Sequence, residues 1–131
     1  MKAQISIELI ILVSLLLVFL TMMIFSSSSL QTETIKTKVY DEARKLADGI
    51  AFEINSAARA GHGYSRKFFI PTSIFGMDFE INITNYFVTI SFSQGSVIAP
   101  IVVKEIEGGL QSGFNLIRNI NGVIRVESAN P

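Results

Sequence analysis

The N-terminal part of the chain carries an apolar run that is long enough for a membrane helix. Residues 9–25 read LIILVSLLLVFLTMMIF, and only Ser14 and Thr21 interrupt the apolar side chains. As an α-helix this run spans about 26 Å, which nearly crosses a bilayer core about 30 Å thick. Glu8 stands at its edge, where an ionised carboxylate needs a partner or a proton. We expect residues 5–25 to lie in a membrane or in an apolar bundle.

A second helical pattern follows the apolar run. Residues 30–60 contain no proline, and apolar side chains recur there every three or four residues, which predicts a helix with one buried stripe. Gly61 and Gly63 end the pattern, because glycine adopts positive φ beyond a helix without steric cost. We predict one long helix over residues 4–60, in which the serines at 26–29 mark a bend rather than a stop. The stripe consists of Ile35, Val39, Ala43, Leu46, Ile50, Ile54 and Ala57 or Ala58.

After the predicted helix, apolar residues recur at every second position, which is the spacing of a half-buried β-strand. Apolar and polar residues alternate over 79–84 and again after Asn85, which predicts a hairpin. Asn121-Gly122 predicts a second hairpin, because both positions of a type I′ turn take positive φ. The predicted strands are 68–70, 79–84, 88–92, 97–103, 114–120 and 123–126.

These elements predict an α+β fold in which residues 61–131 form a β-rich head. Pro100 places its segment at a sheet edge or a bulge, since proline donates no ladder hydrogen bond, and Gly108-Gly109 is expected to interrupt the chain. A head of about 70 residues is near the lower limit for an independent core. We expect the amphipathic half of the helix to complete that core by packing on a small antiparallel sheet. A soluble coiled-coil dimer is the alternative, although the stripe is short and alanine-rich.

Length, charge and composition narrow the classes of function. The 131 residues provide one small domain and an appendage, which leaves no room for a multidomain enzyme. The formal net charge is +0 and charged residues make up 17% of the chain, so we expect no nucleic-acid partner. The chain has no cysteine, which excludes disulfides, thiolate catalysis and cysteine-bound metals.

The residues before the apolar run form a recognisable motif. Lys2 and Ala3 precede Gln4, Ser6 and Glu8, which are spaced as Q-x-S-x-E. This pattern resembles the class III signal peptides of archaeal pilins and lacks the features usual in bacterial pilins, a glycine before the cut and an aromatic residue after it. The resemblance implies that a prepilin peptidase cuts between Ala3 and Gln4, so that residues 1–3 are a leader. It also implies that Glu8, then the fifth residue, neutralises the α-amine of a neighbouring subunit and sets the register of assembly.

The resemblance implies a structural protein and not an enzyme. It implies a type IV pilin-like fold and a pilin or minor pilin of an archaeal type IV pilus-like surface filament, with a role in cell adhesion. The partners it implies are the prepilin peptidase, the pilus assembly platform, the membrane, and pilin subunits of the same or another kind. Before assembly the chain would be a single-pass membrane protein with an extracellular head, and after assembly part of a cell-surface filament.

Two other interpretations of the N-terminus stay open. An ordinary secretory signal would use the small residues at 26–29 and release a soluble protein, whereas an uncleaved anchor would keep the head at the membrane. Three features disfavour a secretory signal: only one lysine precedes the run, Glu8 interrupts the approach to it, and the run is long. The apolar core of a secretory signal usually has about 7 to 15 residues. Either alternative makes the chain a membrane-anchored or secreted β-rich binding module that does not polymerise.

Few residues are suited to catalysis or metal binding. His62 is the only histidine, so neither a histidine-based triad nor a multi-histidine metal site can form, and we predict a loop residue. Asp78 with Glu80, and Glu105 with Glu107, occupy alternate positions and hence share a strand face, which is more often a solvated surface than a site. We expect no catalytic residue, no metal site and no cofactor.

One further motif concerns covalent modification. Asn82-Ile83-Thr84 matches the N-glycosylation pattern N-x-[ST] and lies on the polar side of a predicted strand. A glycan at Asn82 would shield the surface of the head.

Overall fold

The computed structural model describes the backbone of residues 1–130 and, except at 28–32, their side chains. In that part of the chain one long helix precedes a set of short strands, so the predicted α+β class is confirmed. The elements are α1 (Lys2–Ala60), β1 (Ser65–Ile70), β2 (Phe79–Thr84), β3 (Phe87–Phe92), β4 (Gly95–Pro100), β5 (Glu107–Gly108), β6 (Gly113–Ile120) and β7 (Val123–Ser128).

Helix α1 extends over 59 residues and continues without a break through the serine run. The side chains of Ser28 and Ser29, the last residues of that run, lie outside the described part. The helix ends where the sequence predicts, because Gly61 follows it with a φ of 81°. Within this helix the chain divides into two compact units, Met1–Thr37 and a second unit that begins at Lys38. The β-rich head therefore shares its unit with the last part of α1.

The first unit, Met1–Thr37, is helical and has no core of its own. All of its described side chains are exposed to solvent, because a single helix has no second layer to cover any of its faces. Ile35, which the sequence pattern assigns to the buried stripe, is 58% exposed. The buried part of the stripe begins instead at Val39, in the second unit.

The second unit contains two sheets. Their strand orders are β1-β6-β7-β5 and β2-β3-β4, and all pairs are antiparallel except the parallel pair of β5 with β7. The predicted small antiparallel sheet is thus present, but in two parts. Gly108 lies in β5 and pairs with Val126, and the break expected at Gly108-Gly109 follows it, because residues 109–112 are irregular.

Both predicted hairpin turns are confirmed. Asn85 and Tyr86 join β2 to β3 with φ values of 51° and 70°, and Asn121 and Gly122 join β6 to β7 with values of 53° and 86°. Positive φ at both central residues is the mark of a type I′ turn, whose twist matches that of the flanking strands. Strand β4 is an edge strand, as the missing N–H of Pro100 predicts, but it runs from Gly95 to Pro100 and not on to residue 103 as predicted.

The core lies between the stripe of α1 and the inner faces of the two sheets. Alternate strand residues are buried, which is the period expected of a sheet with one solvated face. Each fully buried isoleucine contributes about 1.5–3 kcal/mol relative to an exposed one. Residues from α1 and from five strands form one cluster, which includes Val39, Ala43, Ala47, Ile50, Ile54, Ala57, Ile70, Val88, Ile90, Val97, Ala99, Ile117, Ile124 and Val126.

Candidate functional site

The Q-x-S-x-E motif occupies the first two turns of α1. Lys2, Ala3, Gln4, Ser6 and Glu8 are all helical and exposed. Gln4 and Glu8 are four residues apart, so they lie one turn apart on the same face of the helix. The structure thus presents every residue of the predicted recognition motif at the surface of one helix end.

The peptide bond between Ala3 and Gln4 lies in the first turn of α1. A hydrogen bond of 3.3 Å from the Ile5 amide to the Met1 carbonyl closes this turn. The first N–H groups of a helix have no partner within it, so opening the turn breaks few hydrogen bonds. Ala3 and Gln4, on the two sides of this bond, are both exposed.

Glu8 is an isolated carboxylate in apolar surroundings. Its neighbours Ile7 and Leu9 are each 59% exposed, and Lys2–Ser27 contains no other acidic residue. Within the described residues, Glu8 has neither an ion-pair partner nor a hydrogen-bond partner. A charged carboxylate at the centre of a bilayer costs about 2.5–3.5 kcal/mol. In an apolar environment Glu8 therefore needs either a cation from another chain or a proton.

The segment Lys2–Ser27 is long and apolar enough to cross a membrane. Its 26 residues cover about 39 Å of helix axis, which exceeds the roughly 30 Å of a bilayer core. The hydroxyl of Ser14 donates to the Ile10 carbonyl, and that of Thr21 to the Leu17 carbonyl, both at 2.7 Å. These two polar groups are satisfied inside the helix, so they enter hydrocarbon at low cost.

The predicted glycosylation motif lies on an edge strand. Asn82 and Thr84 are exposed on one face of β2, whereas Ile81 and Ile83 between them are partly buried. Strand β2 pairs only with β3 in the three-stranded sheet. Both side chains that define the motif are thus accessible on the folded head.

His62 lies in the loop after α1, as predicted, and has a structural role there. Its Nδ1 accepts a hydrogen bond of 3.0 Å from the backbone N–H of Asn121. Asn119 adds to this junction, because its buried amide donates to the Ala57 carbonyl at 2.8 Å and accepts from the Gly122 amide at 2.9 Å. Together they hold the C-terminal end of α1 against the turn between β6 and β7.

The acidic side chains of the head do not converge on a metal site. Among the described residues, no group of three histidine or acidic side chains is close enough to hold a metal ion. Glu107 binds Arg125, whose Nη2 and Nε lie 2.8 and 3.1 Å from one carboxylate oxygen. That hydrogen bond, and then the negative charge of Glu107, raise the pKa of the Arg125 guanidinium. Glu105 lies outside β5, whereas Glu107 begins it. The two side chains therefore do not share the face of one regular strand, although the sequence predicts that they do.

The sequence pattern misses an ion pair made by a buried carboxylate. Glu53 is only 9% exposed, and its Oε1 lies 3.5 Å from Nη1 of Arg66 on β1. The other oxygen, Oε2, is buried and has no hydrogen-bond partner among the described residues. Helical spacing from Ile50 could have indicated that Glu53 lies near the buried stripe, but no local signal identifies Arg66 as its partner.

An open groove of about 470 Å³ lies beside α1 in the second unit. Leu46 and Phe75 line it together with Glu42 and Lys45, which form an ion pair of 3.1 Å. Phe75 is 62% exposed and has a φ of 48°, an uncommon conformation for a bulky residue. The two charged groups that line the groove are thus paired with each other.

Comparison with protein-family models, with curated proteins and with solved structures finds no match for this chain. Its function is therefore inferred from its own residues and their placement.

Proposed function

We propose that this chain is a structural subunit, a pilin or minor pilin, of an archaeal type IV pilus-like surface filament with a role in adhesion. The observation that carries the proposal is the exposed apolar span Lys2–Ser27, which contains the Q-x-S-x-E motif at its start. The same helix continues to Ala60 and forms part of the core of the β-rich head. A retained apolar helix with a folded head is the combination that such a filament requires.

Processing by a prepilin peptidase accounts for the motif. The cut between Ala3 and Gln4 removes residues 1–3 and leaves nearly the whole apolar span in the mature protein. It also creates a new α-amine at Gln4, one helical turn before Glu8. A secretory cut near residue 29 would instead discard both the motif and the span.

Assembly moves the span from lipid into a bundle of like helices. This transfer gains little from the hydrophobic effect, because lipid tails are as apolar as the helix itself. Side-chain packing and specific polar contacts must therefore select the arrangement. The isolated carboxylate of Glu8 supplies such a contact, because it attracts the α-amine of a neighbouring subunit strongly in a medium of low dielectric constant.

The same pair fixes an axial offset between neighbours. Gln4 and Glu8 are separated by about 6 Å along a helix, at 1.5 Å per residue. The amine of one subunit meets the carboxylate of the next when the two helices are displaced by about this distance. Such a contact joins two different surfaces and does not close, so it repeats from subunit to subunit as in a filament.

The remaining partners of the chain act before and during assembly. Before assembly the span holds the chain in the membrane with its head outside the cell, where the peptidase and the assembly platform act on it. After assembly the chain contacts pilins of its own or another kind in the filament. Neither step uses a cofactor.

Immunogold labelling of sheared surface filaments tests this proposal. An antibody against the head should label filaments along their length for a main subunit, or at sparse sites for a minor one. Filaments from cells that lack the chain provide the control. If filaments remain unlabelled while the chain stays in the membrane or in the medium, the binding-module alternative is correct and the proposal fails.

A further inference from the structure

The outer face of the three-stranded sheet combines the glycosylation motif with exposed apolar side chains. Cross-strand register places Thr89 between Asn82 and Ile98, and places Phe87 opposite Thr84. Phe87 is 46% exposed and Ile98 is 51% exposed. Phe87 is a diagonal neighbour of Asn82, about 7–8 Å away, and Ile98 lies two strands away at about 10 Å.

Asn82 has no evident structural role on this face. Asparagine is disfavoured in strands, and the Asn82 side chain makes no hydrogen bond within the described part of the chain. Its backbone is that of a regular strand, so it does not serve a turn. The other asparagines do have such roles: Asn85 and Asn121 adopt positive φ in turns, and Asn55, Asn115, Asn119 and Asn130 make side-chain hydrogen bonds.

The chemistry of the surrounding face suits a carbohydrate. Thr84 and Thr89 provide hydroxyl groups that can exchange hydrogen bonds with sugar hydroxyls. Phe87 and Ile98 provide apolar surface against which the C–H faces of sugar rings can pack. Glu80 is the charged side chain at the far end of this face, one alternate position before Asn82. Phe87 and Ile98 thus leave apolar surface open to a glycan on the same face as Asn82.

We infer that Asn82 carries an N-linked glycan and that this glycan lies over Phe87 and Ile98. In the linkage reaction, Nδ2 of Asn82 forms a bond to the anomeric carbon of a lipid-phosphate-linked oligosaccharide. The bond from that carbon to the phosphate oxygen breaks, the lipid phosphate leaves with the bonding electrons, and the amide loses one proton. The inference rests on the proposed function only in that the head must be outside the cell.

A covered face has a consequence for assembly. A bulky, hydrated glycan keeps other protein surfaces away, so the outer face of the three-stranded sheet points to solvent in the filament. Contacts between heads then use other surfaces.

Intact mass spectrometry of the chain from its native cells tests the modification. The wild-type chain and Thr84→Ser, which preserves the motif, should carry the added mass of an oligosaccharide. Asn82→Gln and Thr84→Ala should both lose it. A wild-type mass that equals that of the unmodified polypeptide overturns the inference.

The same spectrum separates this inference from the proposed function. A chain that begins at Gln4 with Asn82 unmodified overturns the glycan and leaves the filament proposal intact. A chain that carries a glycan and still begins at Met1 supports the glycan and overturns the filament proposal.

Thermal unfolding tests where the glycan lies. Asn82→Gln should lower the Tm by several degrees when Phe87 is present, because the exposed ring loses its cover. It should have little effect in a Phe87→Ser background. Phe69→Ser is the matched control, since Phe69 is 57% exposed on the other sheet and the effect of Asn82→Gln should persist there. An equal effect in all three backgrounds overturns the placement over Phe87.

Discussion

At the scale of single residues, Glu8 is the side chain whose charge agrees least with its surroundings. It lies among exposed apolar residues of a span that could cross a membrane, and no partner exists for it in the described chain. An unpaired α-amine at Gln4 would be equally unfavourable in hydrocarbon. Each charge alone would be costly there, whereas a pair between two subunits would offset part of that cost.

Glu8→Ala should therefore separate processing from assembly. The variant should be processed at the same bond, because Gln4 and Ser6 remain, but it leaves a buried amine without a partner. Removal of one member of a buried ion pair costs about 3–5 kcal/mol, so incorporation into filaments should fall by about a hundredfold or more. Quantitative immunoblots of sheared filaments and membranes measure this ratio.

Ser14→Ala is the control for that experiment. The Ser14 hydroxyl is bonded within its own helix, so its loss should leave incorporation unchanged. Incorporation of Glu8→Ala at the level of this control would refute the role of Glu8 in register.

The ion pair of Glu53 and Arg66 shows what helical periodicity does not reveal. The stripe correctly predicts that Ile50 and Ile54 are buried. Whether Glu53 beside them is buried depends on β1, which supplies Arg66 across the interface. Such long-range pairing has no signal within a short window of sequence.

Arg66→Met should lower the free energy of unfolding, because it leaves the buried Glu53 carboxylate without a cation. Arg66 is 55% exposed, so solvent screens the pair and the expected cost is about 1–2 kcal/mol. Lys67→Met, at the next position of β1, should change stability by about 0.5 kcal/mol or less. Urea unfolding of the full chain in detergent micelles measures both, and equal effects would show that the pair contributes nothing.

At the scale of elements, the sequence predicts those features whose determinants are local. The end of α1 is set by Gly61, and the turn between β6 and β7 by Asn121 and Gly122, all at positive φ. The exposure of Asn82 follows from simple alternation along β2. The placement of the motif residues on one exposed helix end likewise follows from the sequence, because they form one continuous segment.

Strand β5 and the division into two sheets were not predictable in this way. β5 has two residues, too few for any alternation, and it pairs in parallel with β7 much later in the chain. Its position depends on the close approach of Gly108 to β7. An added Cβ at Gly108 would overlap the Val126 carbonyl oxygen, so only glycine fits there.

Gly108→Ala should consequently destabilise the head. The substitution adds a clash with the backbone of β7 to an unfavourable φ of 89°, and the expected cost is about 2 kcal/mol or more. Gly109→Ala is the matched control, because no atom lies within 4 Å of its added Cβ and its φ is not in the positive region. Chemical unfolding should show a clear loss only for Gly108→Ala, and similar curves for the two variants would disprove the close approach.

At the scale of the whole molecule, the chain consists of one unit whose described side chains are all exposed and a second unit that has a buried core. The first unit, Met1–Thr37, has a large apolar surface and no buried described side chain. The second unit contains its own core, to which α1 contributes from Val39 onward. A cut near residue 29 would therefore leave the core of the second unit intact, so the fold of the head is compatible with each interpretation of the N-terminus.

The intact mass and N-terminal sequence of the chain, purified from native membranes or sheared surface filaments, distinguish these interpretations most directly. We predict a chain that begins at Gln4 and retains the whole apolar run of residues 9–25. A chain that begins near residue 29, or that still begins at Met1, would contradict prepilin-type processing and with it the assignment of this protein to a filament.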